Sequence, residues 1–127
     1  MTSAEEIRLV IPAEEEFRPI VRLVTGGLAS RLDVTFDDLE DIQVAVDAVL
    51  ALRDDDGDLT VVLSAERGIV RVEVGPFEPE VLDPSDASDG GLDLQLVLET
   101  VCDTHEFELR EDGAWVELTK RTAAVSA

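Results

Sequence analysis

The amino-acid sequence predicts an α+β fold, a two-layer α/β sandwich in which a mixed, mostly antiparallel sheet carries helices on one face. Two observations predict this class. Three segments repeat apolar residues at helical spacing, and five shorter segments alternate apolar and polar residues as strands do. Along the chain these segments follow the order β–α–α–β–β–α–β–β. Helices packed on one sheet are the two-layer solution for such a pattern.

The first strand and the first helix are separated by a proline. Residues 6–11 alternate and predict a strand that ends at Pro12. Residues 14–32 predict an amphipathic helix. Gly26 and Gly27 inside it each cost about 1 kcal/mol relative to alanine, so they are expected to mark a kink or a close helix contact. The apolar side of this helix is expected to contain Phe17, Ile20, Val21, Val24 and Leu28.

The strongest helical signal is the stretch 39–52, LEDIQVAVDAVLAL. Its apolar residues recur at three- and four-residue steps, and its second half is almost entirely apolar. Such a helix is expected to be buried on more than one side. Thr35 is the predicted N-cap, with Asp38 three residues later as an approximate capping box.

A charged turn, RDDDGD at residues 53–58, follows this helix. Acidic residues beside a glycine resemble part of an EF-hand calcium loop. The full spacing is not met, because no glutamate stands at the bidentate position and no helix is expected to follow. The preferred interpretation is a solvated turn between a helix and a strand.

The second half of the chain predicts two hairpins separated by a loop and a helix. The hairpins comprise residues 59–65 with 69–75, and residues 104–110 with 114–120; the loop comprises residues 76–91 and the helix residues 92–101. The last hairpin is expected to bury Phe107, Leu109, Trp115, Val116 and Leu118. Residues 1–120 are expected to form one domain, and residues 121–127 a flexible tail.

The charge balance restricts the classes of partner. Thirty acidic residues against ten basic ones give a formal net charge of −20 and a pI near 4.1. Such a field repels the phosphate backbone of nucleic acids and anionic membranes, and it attracts a basic protein surface. The acidity is equally well explained by solubility or by a salt-rich habitat. The N-terminal stretch has neither a basic region nor a long apolar run, so a cytoplasmic protein is expected.

Two isolated residues are weak functional candidates. Cys102 is the only cysteine, which excludes an intramolecular disulfide and a cysteine zinc cluster. It is expected to be a small core residue of the last helix. His105 is the only histidine and is expected to be a hydrogen-bonded structural residue.

Five stretches, in the same order along the chain, resemble the small GHKL (histidine-kinase-like) ATPase domains that act as anti-sigma-factor serine kinases in bacteria. They are IRLVIPAEEEFRPIVRLV at 7–24, DLEDIQVAVDAVLAL at 38–52, GPFEP at 75–79, GGLDLQLVLETVCD at 90–103 and WVELTKR at 115–121. The resemblance covers nearly the whole chain and implies the histidine-kinase-like ATPase fold.

The sequence departs from this family where the chemistry occurs. In the family, a glutamate on the central helix activates the substrate hydroxyl, and an asparagine four residues later holds magnesium. The corresponding residues here are Ala48 and Leu52, and neither can act as a base or a metal ligand. Asp47 is a poor substitute, because it lies about 100° around the helix from Ala48.

The nucleotide-binding turns are altered as well. The adenine-binding aspartate of the family corresponds to Glu73, and Gly75 stands for its first glycine, while the second glycine is missing. Gly90 and Gly91 match the glycine box at a helix N-terminus, where free amides can hold a phosphate. The next family glycine is Asp93, a negative charge. The alternative is that Gly90 and Gly91 simply start a helix.

The resemblance and these departures together lead to a functional expectation. The leading hypothesis is an anti-sigma-factor-like transcription regulator, a pseudokinase that needs no cofactor and acts by protein binding. Its partner is expected to be a sigma factor or an anti-anti-sigma-type domain with a basic contact face, and a homodimer is possible by resemblance. The alternatives are an active kinase using ATP and Mg²⁺, with Asp47 or Glu73 as a relocated base, and a domain that binds another small ligand.

Overall fold

The protein forms a five-stranded sheet with helices on one face, in a computed structural model that describes residues 5–31, 34–66, 68–82 and 89–121. The strands are β1 (Glu5–Pro12), β2 (Asp58–Glu66), β3 (Ile69–Phe77), β4 (Thr104–Arg110) and β5 (Gly113–Arg121). The helices are α1 (Arg18–Arg31), α2 (Phe36–Leu50) and α3 (Asp89–Val101). Short 3₁₀ turns occur at Glu15–Phe17 and Pro79–Leu82. The predicted α+β class and element order are confirmed.

The strands lie in the order β1–β2–β3–β5–β4. All four neighbouring pairs among these strands are antiparallel. Both hairpins were predicted, and β5 joins the second hairpin to the first. As a result β1 and β4 are the two edges of the sheet, and the end of β3 lies beside the start of β5.

Helix α2 is the centre of the helical layer, as its apolar second half predicted. Its residues Ala45, Val49 and Leu50 are completely buried, against strand residues such as Val61, Val74 and Val116. The predicted N-cap is confirmed, because the Thr35 hydroxyl accepts a hydrogen bond of 3.2 Å from the backbone N–H of Asp38.

Most of the apolar side expected for the first helical segment is confirmed: Val21 and Leu28 are buried, and Phe17 and Val24 are partly buried against the core. The buried residues of helix α1 are Val21, Thr25, Leu28 and Ala29, whereas Ile20 is 42% exposed. The buried stripe is centred on Val21, and Ile20 lies about 100° away around the helix. The expected close contact at the two glycines is also wrong. A Cβ on Gly27 would meet nothing within 4 Å, and one on Gly26 would meet only the Gln43 side chain at 3.9 Å.

The last hairpin buries only one of its two strands. Trp115, Val116 and Leu118 of β5 are buried as predicted, but Phe107 and Leu109 of β4 are 38% and 75% exposed. Both lie opposite inward-facing residues of β5, Val116 and Ala114. Because β4 is an edge strand, its inward side extends past the helices that cover β5.

Both ends of the predicted loop at residues 76–91 are regular structure. Strand β3 extends to Phe77, a 3₁₀ turn follows, and α3 begins at Asp89 rather than at residue 92. Arg121, expected in the tail, ends β5, whereas residues 83–88 and 122–127 lie outside the described residues. Within the described residues, every helix is too short or too polar to span a bilayer.

Candidate functional site

A groove of about 440 Å³ lies beyond the C-terminal end of α2. Three connections of the fold meet there: the segment from α2 to β2, the turn after β3, and the turn between β4 and β5. The residues that line it are Leu52, Arg53, Asp54, Asp55, Pro76, Phe77, Glu78, Pro79, Asp112 and Gly113. The sheet order produces this meeting point, because it places the end of β3 beside the start of β5.

Arg53 connects the segments that form the groove through hydrogen bonds. Its guanidinium donates two hydrogen bonds to the carboxylate of Asp55, at 2.8 and 2.6 Å. It donates two more to backbone carbonyl oxygens, at 2.9 Å to Asp58 and 3.1 Å to Pro76. One side chain therefore ties the end of α2 to the beginning of β2 and to the turn after β3.

The acidic turn is organised around this guanidinium. The backbone N–H of Gly57 also donates to Asp55, at 2.8 Å. The hydrogen bonds from Arg53 and then from Gly57 lower the pKa of the Asp55 carboxyl from 3.8 to about 2. The hydrogen bond to Asp55 raises the pKa of Arg53. No cluster of three or more potential metal ligands occurs among the described residues.

The groove is net negative. Four carboxylates and one guanidinium line it, and that guanidinium already pairs with Asp55. Asp54 and Glu78 are exposed at the rim. Asp112, on the opposite wall, accepts a hydrogen bond of 2.8 Å from the indole N–H of Trp115. A second acidic depression lined by Glu14, Glu15, Glu16 and Asp54 adjoins the groove at Asp54.

Glu73 lies on the outer face of the sheet, which is the face away from the helices. Its neighbours Val72 and Val74 are buried in the core, so strand alternation directs Glu73 the other way. Its carboxylate accepts a hydrogen bond from Arg110, which also binds Glu108 at 2.9 Å. The bond to Glu73 is the main reason why the pKa of Arg110 is raised.

The same cluster explains Gly75. The guanidinium of Arg110 lies 4.5 Å from the ring centroid of Trp115, a cation–π contact. The Trp115 indole lies directly on Gly75, and a Cβ at residue 75 would stand 2.4 Å from its Cδ2 atom. Gly75 is therefore required by packing, whatever else it does.

Comparison with known proteins reveals the family. No protein-family model matches the chain. The chain is 34% identical to the serine-protein kinase RsbW of Bacillus velezensis, in an alignment that covers 94% of this chain and 87% of the relative. It is 27% identical to RsbW of Bacillus cereus over the same shares. It is 50% identical to RsbW of Halalkalibacterium halodurans over 42 residues, 33% of this chain and 26% of that protein.

This chain belongs to the RsbW family. The relatives confirm the resemblance to GHKL anti-sigma-factor serine kinases that the five motifs indicated. The antiparallel sheet with helices on one face is consistent with that fold. Membership in the RsbW family supports a regulatory role of the anti-sigma-factor type.

Ala48 and Leu52, which the resemblance predicts at the positions of the family's glutamate and asparagine, lie at the end of α2. Ala48 is in its last turns and packs against the core, and Leu52 follows the last helical residue, Leu50. The backbone N–H of Leu52 donates to Val49 at 3.1 Å, which keeps the chain turning as it leaves the helix. Leu52 is the member of this pair that lines the groove.

The other sequence-predicted residues are distributed over three places in this RsbW-family fold. Glu73 and Gly75 belong to the outer-face cluster, although Gly75 immediately precedes the groove residue Pro76. Gly90 and Gly91 lie in the first turn of α3. Asp47 accepts a hydrogen bond from Arg22 of α1, which also binds Gln43 at 3.2 Å. Asp47 thus joins α2 to α1.

Cys102 and His105 are outside the groove. Burial raises the pKa of the Cys102 thiol to about 11, and the residue packs against the core, as expected of a small apolar side chain. The imidazole of His105 lies on β4 with its centroid 6.0 Å from the Phe107 ring.

Sequence reasoning missed the residue that organises the site. Arg53 was included in a charged turn, where an arginine is usually solvated. The single signal that points to it is the spacing of Arg53, Asp55 and Gly57, which brings a fork donor, a carboxylate and a backbone amide into one turn.

Proposed function

We propose that this protein is an anti-sigma-factor-type regulator that acts by binding a protein partner, without ATP binding or kinase activity. The observation that carries the proposal is the pair Ala48 and Leu52 at the end of α2. Phosphoryl transfer needs a group that orients or deprotonates the nucleophile and oxygen ligands for magnesium. Neither methyl nor isobutyl side chains supply them.

The nearby carboxylates do not replace the missing groups. Asp47 is paired with Arg22 on the α1 side of α2, and Glu73 with Arg110 on the outer face of the sheet. Moving either carboxylate to the groove would break its ion pair with an arginine. A relocated catalytic base is therefore disfavoured.

The electrostatics of the groove also oppose a nucleotide. Triphosphates are bound through cations and backbone N–H groups. Among the described lining residues, the one guanidinium is bonded to Asp55 and to two carbonyl oxygens, while Asp54, Glu78 and Asp112 add negative charge. The groove residues that the structure describes do not suit a magnesium nucleotide, so we propose no step that uses ATP.

The partner we propose is a sigma factor or an anti-anti-sigma-type domain with a basic contact face. The support is membership in the RsbW family together with the net charge of −20. Complementary charge mainly accelerates association, so the association rate should fall steeply as salt is added. An association rate independent of salt would contradict the electrostatic part of the proposal.

A titration with Mg·ATP tests the loss of nucleotide binding. A ligand present at 100 times its dissociation constant stabilises a protein by about 2.7 kcal/mol, so binding in the micromolar range is visible as a thermal shift. We expect no shift for this protein and a clear shift for RsbW of Bacillus velezensis as the positive control. A comparable shift here, with phosphate transfer to a partner serine, would refute the proposal.

A further inference from the structure

We propose that the groove at the end of α2 is the docking site for a basic segment of the protein partner. An arginine or lysine of that segment enters between the carboxylates of Asp54, Glu78 and Asp112, and an adjacent apolar residue packs on the groove wall. This inference rests on the proposed function, because it assigns the surface through which the regulator recognises its partner.

The shape of the groove suits a side chain rather than a flat contact. Its volume of about 440 Å³ falls in the range of sites that enclose ligands. Leu52, Pro76 and Pro79 provide apolar lining, with the buried Phe77 beneath them. The methylene groups of arginine or lysine pack well on such a surface while the charged end reaches the rim.

The side-chain groups left available in the groove are mainly carboxylate acceptors. Four of the five N–H donors of Arg53 are engaged by Asp55 and by the carbonyl oxygens of Asp58 and Pro76. Among the described residues, Glu78 has no hydrogen-bond partner, and Asp54 and Asp112 each use one oxygen. A guanidinium or ammonium group matches this set, and an anion does not.

The surroundings favour a basic segment over a single small cation. The depression lined by Glu14, Glu15, Glu16 and Asp54 continues the negative surface beyond the groove. A chain with a second basic residue would therefore meet carboxylates along its length. The apolar lining offers nothing to a hydrated metal ion, whereas it adds buried area for a peptide.

Two matched peptides test the chemistry of the occupant. The probes are acetyl-Gly-Leu-Arg-Leu-Gly-amide and its citrulline analogue, which has nearly the same shape and no charge. In ¹⁵N-resolved NMR titrations, we expect the arginine peptide to shift the amides of Leu52, Phe77 and Gly113 saturably. The citrulline peptide should bind about tenfold more weakly. Equal binding of the two peptides would overturn the proposal.

Charge-matched variants test the place of binding. One variant carries Asp54→Asn, Glu78→Gln and Asp112→Asn, and its asparagine at position 112 still accepts from Trp115. The control carries Glu6→Gln, Glu40→Gln and Glu66→Gln, three exposed positions away from the groove lining. We expect the groove variant to bind the arginine peptide about tenfold more weakly than the wild type does. The control variant should bind it less than about twofold more weakly. Equal losses would indicate a diffuse field and refute a groove site.

A shape variant completes the design. Leu52→Trp narrows the groove without changing the charge, and it should also weaken the binding of the arginine peptide. If Leu52 and Phe77 instead show NMR contacts with residues 83–88 or 122–127 and the peptide does not bind, the chain itself occupies the groove and the proposal is wrong. A second protein copy seated there would appear as concentration-dependent shifts without peptide, which also refutes it.

The failure of this inference is distinguishable from failure of the proposed function. A sigma factor or an anti-anti-sigma domain that binds the groove variant as tightly as the wild type would support the proposed regulatory function. The same result would refute the groove as the docking site. If Mg·ATP binds and phosphate is transferred, the proposed function is wrong. The peptide titration then still tests whether the groove binds a basic segment.

Discussion

Arg53 and Asp55 bind each other through two parallel hydrogen bonds, of 2.8 and 2.6 Å, although only one residue separates them in the chain. The same guanidinium reaches the carbonyl oxygens of Asp58 and Pro76. The pair thus fixes the position of the guanidinium at the end of α2, beside Leu52. In this protein a side chain, rather than a bound ligand, holds the walls of the groove together.

Replacement of Arg53 by lysine should lower the free energy of unfolding by about 1–2 kcal/mol. Lysine keeps the charge but cannot form the fork and reach both carbonyl oxygens. Arg53→Gln should cost at least as much. Urea denaturation measures both variants, and Arg8→Gln, an exposed arginine on β1, is the control. If Arg53→Lys lowers the free energy of unfolding no more than Arg8→Gln does, the hydrogen bonds of the Arg53 guanidinium contribute nothing to stability.

The stabilising contribution of Asp55 should depend on pH in the acid range. Its pKa is about 2 in the folded protein, against an ordinary value of 3.8 for a free aspartate. Because the folded pKa is the lower one, the contribution is complete above pH of about 4 and is lost as the pH falls towards 2. The difference in urea midpoint between wild type and Asp55→Asn should therefore shrink between about pH 6 and pH 2.5.

The control for this pH dependence is Asp56→Asn, because Asp56 is exposed and has no hydrogen bond among the described residues. Its midpoint should differ from the wild type by the same small amount at both pH values. A constant difference for Asp55→Asn as well would contradict the pairing with Arg53.

Two glycine-to-alanine substitutions should change stability in opposite directions. Gly75→Ala places a Cβ 2.4 Å from the Trp115 ring, and we expect a loss of about 1–3 kcal/mol. Gly27→Ala meets nothing within 4 Å inside α1, and we expect a gain of about 0.5–1 kcal/mol. Thermal unfolding measures both. Trp115→Leu should remove much of the penalty of Gly75→Ala, and strict additivity of the two changes would exclude the proposed clash.

The thiol of Cys102 should react slowly in the folded protein. Burial raises its pKa from 9.0 to about 11, so the thiolate fraction near pH 8 is about a hundredfold below that of a free cysteine. Reaction with a disulfide reagent can be followed by absorbance, and the chain in urea is the control because it contains no other cysteine. Equal rates in both conditions would show that Cys102 is accessible.

The order and type of the elements were predictable because the signals are local. Apolar spacing predicted α2, and the Thr35–Asp38 pair predicted its N-terminus; both are confirmed. Leu109 was predicted to be buried and is exposed. Alternation reports which residues share a face, but it does not reveal that β4 is an edge strand beyond the cover of the helices.

The site was predictable only in part. The resemblance to the family predicted that Ala48 and Leu52 stand at the two catalytic positions on the central helix, and the structure has Leu52 in the groove. The partners of Glu73 and Arg53 were not predictable, because Arg110 and Pro76 approach them through the fold. A charged residue in a sequence does not indicate which distant group it will bind in the folded protein.

The indole of Trp115 on Gly75 has a consequence for how related sequences are compared. If packing alone retains this glycine, its presence says nothing about whether a family member still handles nucleotides. Among inactive relatives, glycine at this position should vary together with an aromatic residue at the position of Trp115, and independently of the residue at the position of Ala48. Active and inactive family members should therefore be distinguished by the residues at the end of α2, and not by the glycine at the position of Gly75.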